Sequence, residues 1–359
     1  MEMQQFIEKL LAAAKEQGID PAEAYVNAGT NFSADVMQGS IDTYSVSDKL
    51  GLGLRGIYQG KMGYASTQAF DDEAIKQLIE GVKEGASLRE DEDVEEIYAG
   101  DASYPTVNSW SDALEQVSAT EKLDACLNIE KAAVSSQPTV TRCSGTRLST
   151  ISRETRICNS YGLNLHHRCN LYLTYTDAIA QEGDSTATAV AFQSGRDFSE
   201  VDPQALGAKA AREAAEALHG SPVPAGSYRI ILRWDAMQAL METFCGIFSA
   251  ENAQQGMSLL NGREGEAIAA PCVTLMDDPL LPGGFSSYPF DDEGVACRTK
   301  AVVEAGVLKT LLHNRKTAKK QGIASTGNAA RMGLSAPVTV APSNLFFQPG
   351  TQSLAEMEA

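Results

Sequence analysis

Two long runs in which apolar and polar side chains alternate, Ala24 to Thr67 and Thr139 to Ser194, restrict the fold of this chain more than any other feature. A two-residue period puts every second side chain on one face, so each run reads as antiparallel strands rather than helix. Turn formers punctuate them: Gln59-Gly60 in the first, Asn159-Ser160-Tyr161-Gly162 and Glu182-Gly183-Asp184 in the second. Outside these runs the period becomes helical. Phe6, Ile7, Leu10, Leu11 and Ala14 make one helical face that stops at Gly18. Asp71-Asp72-Glu73 starts a helix running to about Gly85, with acids at its positive end. Ser111 to Val134 is helical with a break near Ser118, where Ser118 and Glu121 have the spacing of a capping box. Another helix spans Pro203 to His219.

The GSPVPAGS segment that follows is the clearest boundary in the chain. Beyond it Tyr228 to Leu232 reads as a strand. Asp235 then caps a helix whose Met237, Leu240, Met241, Phe244 and Phe248 form an apolar stripe, weakened by Gly246. Val273 to Asp278 and the stretch up to Gly350 are β-rich. Within them Cys297 to Glu304 and Val307 to His313 form a hairpin across Ala305-Gly306, and Arg315 to Gln321 makes a short helix ending at Gly322. Arg89 to Asn108, acidic first and then carrying Pro105, reads as a linker. The expected fold class is α+β: an N-terminal antiparallel sheet with helices, followed by a β-rich C-terminal domain. The corresponding division is an N-terminal α+β domain over 1–108, a central helix-plus-strand region over 109–221 that completes the N-terminal half, and a β-rich domain over 222–359.

A formal net charge of -18 argues against nucleic acid or an anionic membrane as a direct partner, since both demand clustered Lys and Arg. The acidic run Glu90 to Glu96 reads as solvated linker, with a docking surface for a basic protein as the alternative. Seven cysteines, an odd number without a CxxC pair, indicate a reducing compartment. The first helix carries Glu and Lys within its apolar pattern and is neither signal peptide nor membrane span. These features together predict a cytoplasmic protein.

Four motifs invite a chemical reading. GLGLRG, Gly51 to Gly56, matches the dinucleotide pattern, but strand rather than helix follows it, so no helix N-terminus awaits a pyrophosphate. Close backbone packing of a glycine-rich strand explains it better. His166 and His167 point to opposite faces of a strand and cannot chelate one ion; His167 and Cys169 share a face and read as a core pair. The densest polar clusters are Asp291-Asp292-Glu293-Gly294 and Ser325-Thr326-Gly327-Asn328. Both fall at element ends, which makes Asp291, Glu293, Thr326 and Asn328 candidates for contact with a peptide or partner. The alternative is that these residue types are simply those that build turns.

Taken in order, GLGLRGIYQGKMGYAST, SLLNGREG at Ser258, LMDDP at Leu275, FDDEG, VVEAGVLK and STGNAAR resemble the TldD/PmbA family, from about Asp48 to Gly350. The resemblance implies an N-terminal α+β part, a β-rich C-terminal part, and a role in peptide maturation or in modulating DNA gyrase. It also implies a heterodimer in which a TldD-type subunit carries zinc through an HExxxH motif and a PmbA (TldE)-type subunit carries none. Counting back from Ser258 without gaps sets that motif on METFCG. Glu242 then matches the general base, while Met241 and Gly246 replace the two histidines. The chain therefore resembles the PmbA-type subunit, with no catalytic residue, cofactor or metal of its own and with zinc expected only in the TldD-type partner. Family members normally continue past TQSLAEMEA, and in zinc-bearing subunits that tail supplies a further ligand, so a shortened chain or an incomplete final sheet is expected here.

The leading expectation is a zinc-less subunit of a cytoplasmic metallopeptidase that processes unfolded or modified peptides. Its partner is a TldD-type subunit, and extended peptides are taken by addition to a sheet edge. Glu242 joins the four turn residues as a candidate contact. A second possibility is a non-catalytic peptide- or protein-binding homodimer. A third is an independent thiol peptidase using Cys245, for which the sequence offers no local base.

Overall fold

Residues 2–89 and 95–358 are described in a computed structural model of the chain. The amphipathic first helix, α1 (Met3–Glu16), leads into β1 (Ala22–Met37), β2 (Ser40–Tyr58) and β3 (Lys61–Thr67). Asp71 caps α2 (Asp72–Leu88) by accepting from the Ala74 amide at 2.9 Å. Helices α3 (Asp112–Gln116) and α4 (Ala119–Ser136) are separated at Ser118, whose side chain and Glu121 form the expected capping box. Strands β4 (Val140–Asn159), β5 (Asn164–Glu182) and β6 (Ser185–Gly195) precede α5 (Pro203–Ala217).

The two alternating runs form one antiparallel sheet, ordered β3-β2-β1-β4-β5-β6, in which β1 pairs with both β2 and β4. Its two faces have different neighbours. Ala24, Val26, Leu52 and Leu54 pack under α1 and α2, Phe32, Ala34 and Val36 under α4, and Ala178 and Ala180 under α4 and α5. The opposite face carries Tyr25 and Ile157 and receives Phe290 and Leu334 from the C-terminal half. A Cβ on Gly53 would lie 1.9 Å from the Leu334 carbonyl oxygen, and one on Gly51 would lie 2.4 Å from a Leu334 methyl. The GLGLRG glycines thus let another segment approach the sheet backbone, as a glycine-rich strand suggests.

The C-terminal half holds α6 (Trp234–Phe244), a 3-10 turn at Cys245–Phe248, α7 (Ala250–Gln254), β7 (Leu275–Asp277), β8 (Lys300–Glu304), β9 (Val307–Leu308), α8 (Arg315–Gln321), β10 (Ala329–Arg331), β11 (Val338–Val340), β12 (Leu345–Phe347) and α9 (Leu354–Glu358). Its sheets are small, β12-β7-β8-β9 and β10-β11, and their strands shorter than the apolar pattern suggests. The hairpin turns at Ala305-Gly306, both at positive φ, and Gly322 ends α8 in the left-handed conformation.

Three expectations are corrected. Tyr228 to Leu232 is not a strand: no described strand lies beside it to complete a ladder, and Ile230 remains 73% exposed. The N-cap of α6 is Arg233, not Asp235, which lies in the first turn and is held by the Arg233 guanidinium at 2.8 Å. Of the apolar stripe, only Phe248 is buried, and Leu240 and Phe244 remain 41% and 57% exposed. The acidic run lies largely outside the described residues. The remainder of the presumed linker is a strap tying the halves together: Glu96 pairs with Arg315 at 3.2 Å, Asp101 accepts from the Ala296 amide at 2.7 Å, and Tyr104 donates to the Gly294 carbonyl at 2.8 Å. Among the described residues no helix is long and apolar enough to cross a membrane.

Candidate functional site

Helix α6 and the turn after it present Met241, Glu242 and Cys245 to a cleft of about 830 Å³. The facing wall comes from Leu173 of β5, Phe192 of β6, Phe285 and the Leu345–Phe347 strand. Aromatic and apolar groups dominate, which suits the side chains of an extended peptide. Glu242 is exposed and accepts from Gln238, one turn back, at 2.9 Å. The Cys245 thiol points at the Glu242 carbonyl at 3.6 Å, and neither histidine, lysine nor arginine lines the cleft with it among the described residues. The donor set does not fit zinc. One carboxylate and one thiol with a thioether beside them, and a glycine that offers no side chain, fall short of the three ligands a catalytic zinc needs. Among the described residues no group of three or more His, Cys, Asp or Glu is arranged to hold a metal ion.

The two polar clusters lie elsewhere, in adjoining buried loops. Asp291 Oδ1 accepts from the amides of Glu293 and Val295, both at 3.0 Å, and its Oδ2 accepts from the Ala329 amide at 3.0 Å. Glu293 accepts from the Arg315 amide at 2.8 Å. Thr326 Oγ1 takes the His313 amide at 2.6 Å and donates to Asn328 Oδ1 at 2.8 Å. Asn328 Nδ2 in turn donates to Asp277 Oδ2 at 2.8 Å and to the Ala341 carbonyl. All four side chains are buried, and each bonds a group in another segment, so they tie loops together as well as shaping their own turns. Burial, with the Glu293 carboxylate beside it, pushes the Asp291 carboxyl up to about 8. Burial raises Glu293 too, against the pull of Arg55. The candidate contacts thus separate into two places, Glu242 on the open cleft and the other four in the interior.

What the sequence reading passed over is the charge cluster that joins the halves. Glu23 Oε1, fully buried, accepts from Arg55 Nε at 2.8 Å and from Arg331 Nη2. Arg331 also donates to the Asp292 carbonyl at 3.0 Å, and its guanidinium lies 4.4 Å from the Tyr25 ring centroid. Tyr25 donates to Asp292 Oδ1 at 2.9 Å. Among the described residues Glu23 Oε2 and Arg55 Nη2 have no hydrogen-bond partner. The available signal was Arg55 itself, a charge on the same strand face as Gly51 and Gly53.

Between this cluster and the α6 cleft lies a cavity of about 340 Å³, lined by His167, Cys169, Tyr288 and Asp291. His167 and Cys169 do share a face, and His167 Nε2 stands 3.0 Å from Ser109 Oγ. Burial lowers its pKa to about 4, so the ring is neutral at neutral pH.

Comparison with known proteins gives the family and the fold. The PmbA/TldA metallopeptidase domain 1 matches residues 22–86, the central domain 112–218 and the C-terminal domain 225–359. A metalloprotease of Methanocaldococcus jannaschii is 26% identical over 98% of this chain and 77% of its own length. The metalloprotease PmbA of Escherichia coli O157:H7 is 23% identical over 89% of this chain and 71% of its length. Among solved structures, a candidate modulator of a DNA gyrase from Thermotoga maritima superposes with a TM-score of 0.91 at 29% identity, covering 99% of this chain and 80% of that one. TldE from Thermococcus kodakarensis shares the fold, with a TM-score of 0.86 at 22% identity over 98% of this chain and 79% of that one.

Proposed function

The chain belongs to the PmbA/TldD metallopeptidase family, and from that premise we propose that it is the zinc-less, PmbA (TldE)-type subunit of a cytoplasmic peptidase. Its role is to hold extended, unfolded or modified peptides beside a TldD-type subunit that carries the zinc. The observation that carries this reading is α6 with the turn after it: they set Met241, Glu242 and Cys245 on an apolar cleft, where the ligands of a zinc peptidase are missing but the space for a peptide remains. A glutamate without a metal-bound water has nothing to activate. Seven free thiols agree with a reducing compartment. The thiol-peptidase reading is disfavoured, since among the described residues no His, Lys or Arg lines the cleft near Cys245.

The test is a comparison of rates. Alone, the chain is expected to leave unstructured peptides intact. Mixed with a TldD-type subunit from the same organism, it should form a defined complex whose hydrolysis chelators stop. Glu242→Ala in this chain should retain most of that hydrolysis, whereas replacing the glutamate of the partner's HExxxH should abolish it. Chelator-resistant cleavage by this chain alone, lost in Cys245→Ala, would establish the thiol reading instead. Failure to form any complex would leave a peptide-binding homodimer.

A further inference from the structure

A second recess, of about 600 Å³, lies on the sheet face beyond the Arg331 cluster. Arg153, Lys49 and Arg331 line it, and among the described residues no Asp or Glu does, in a chain whose acids exceed its bases by 18 charges. Arg331 is already neutralised by Glu23. Arg153 is not: it is exposed, and no carboxylate pairs with it among the described residues, whereas Arg55, Arg147 and Arg156 each hold one. Its guanidinium is nevertheless oriented. With the Asn27 amide turned so that its oxygen faces Arg153, that oxygen accepts from Nε at 3.0 Å and Nη2 at 2.8 Å. This bond leaves Nη1 uncommitted. Gly29 keeps the floor between the two cations low: it pairs with Lys49 on one side, and a Cβ there would lie 2.1 Å from the Ser152 carbonyl oxygen on the other.

The recess is also connected. Arg153 and Ile151 line both it and the cavity at His167, and that cavity shares Phe285, Ser286 and Pro342 with the α6 cleft. A continuous track therefore runs from an aromatic cleft to an unpaired arginine. We infer that this recess receives a carboxylate of an extended peptide lying along the track, with Arg153 as the anchoring cation and Lys49 supporting it. The inference rests on the peptide-binding reading above and adds the class of peptide: one with an acidic group placed several residues from its apolar portion. A guanidinium with a free N–H edge matches a carboxylate in geometry as well as charge.

The experiment is fluorescence anisotropy on the full chain with short labelled peptides, one bearing Phe and Glu, one with Gln in place of Glu, and each with a free or amidated C-terminus. The Glu peptide should bind more tightly, with affinity falling as salt rises. Arg153→Ala should weaken it by about tenfold and erase its advantage over the Gln peptide, while Arg153→Lys restores part of that advantage. Dependence on the free C-terminus rather than on Glu would assign the carboxylate to the chain end and also supports the site. Equal binding of every peptide, or of wild type and Arg153→Ala, would overturn the inference and leave the peptide-binding function standing. Binding of no peptide would sink both. Preferential competition by inorganic phosphate over acetate would replace the carboxylate with a phosphoryl group and overturn the assignment.

Discussion

Along β4 and β5, main chain pairs with main chain in a register that runs from Val140 opposite Ala180 to Cys158 opposite Asn164. Around Asp291, Asp277 and Asn328, side chains take over that work. Asp277 alone accepts from Lys300 Nζ at 2.7 Å, Asn328 Nδ2 at 2.8 Å, and both the amide and hydroxyl of Ser343. Long strands satisfy buried amides locally and repetitively, so a single surface residue matters little to them. Short strands joined by long loops leave amides that only a carboxylate, amide or hydroxyl can reach. The same polar residue type is therefore decoration in one half and framework in the other.

The largest expected effect tests that contrast directly. Asp277→Ala leaves Lys300 buried without its counter-charge and should cost about 3–5 kcal/mol of folding stability. Asp35→Ala, in the sheet half, removes a pair with half-exposed Arg147 and an exposed hydrogen bond from Thr43, and should cost about 0–1 kcal/mol. Urea midpoints with matched slopes measure both. Comparable losses in the two variants would break the comparison.

The distinction also sets what could be read from the sequence. The sheet was legible because its period survives in Ala24, Val26, Leu52 and Leu54, and the capping box at Ser118 and Glu121 because its spacing is local. In the second half the same kind of reading fails. Residues 228–232 have strand composition but, among the described residues, no strand beside them, and composition cannot report a missing partner. Asp291, Glu293, Thr326 and Asn328 look alike whether they face solvent or bind their own backbone, since the donors they satisfy are distant in sequence. Glu23 and Arg331, 308 residues apart, carry no local sign of their meeting.

Where the two halves meet, packing tolerances decide. Gly53→Ala would drive a methyl into the Leu334 carbonyl, 1.9 Å away, and is expected to cost about 1–3 kcal/mol while exposing the 332–335 segment to protease. Gly145→Ala, on β4 with nothing within 4 Å, should stay within about 0.5 kcal/mol. A neutral Gly53→Ala would mean that the C-terminal half rests on the sheet loosely, and that the buried charges alone hold the interface.

A pH-dependent effect sharpens the comparison at a residue that belongs to the sheet but faces the other half. Burial holds His167 at about 4 in the folded chain, from an ordinary 6.5; a hydrogen bond to the Ser287 backbone opposes the shift, and repulsion from His166 and Arg196 adds to it. Below pH 6.5 the unfolded chain takes up a proton that the folded chain refuses, so stability falls as pH drops from about 6.5 to 4 and is unaffected by this group above it. Allowing for partial solvent access, the loss should reach about 2 kcal/mol. His167→Gln keeps a polar group beside Ser109 and cannot titrate, so its stability should decline less steeply over that window while matching the parent's slope from pH 7 to 8. The many carboxylates titrate in both proteins, and the difference between the two curves isolates the imidazole. Parallel curves down to pH 4 would show that the ring accepts its proton without cost, and that water reaches the cavity between the halves as freely as it reaches the outer strands.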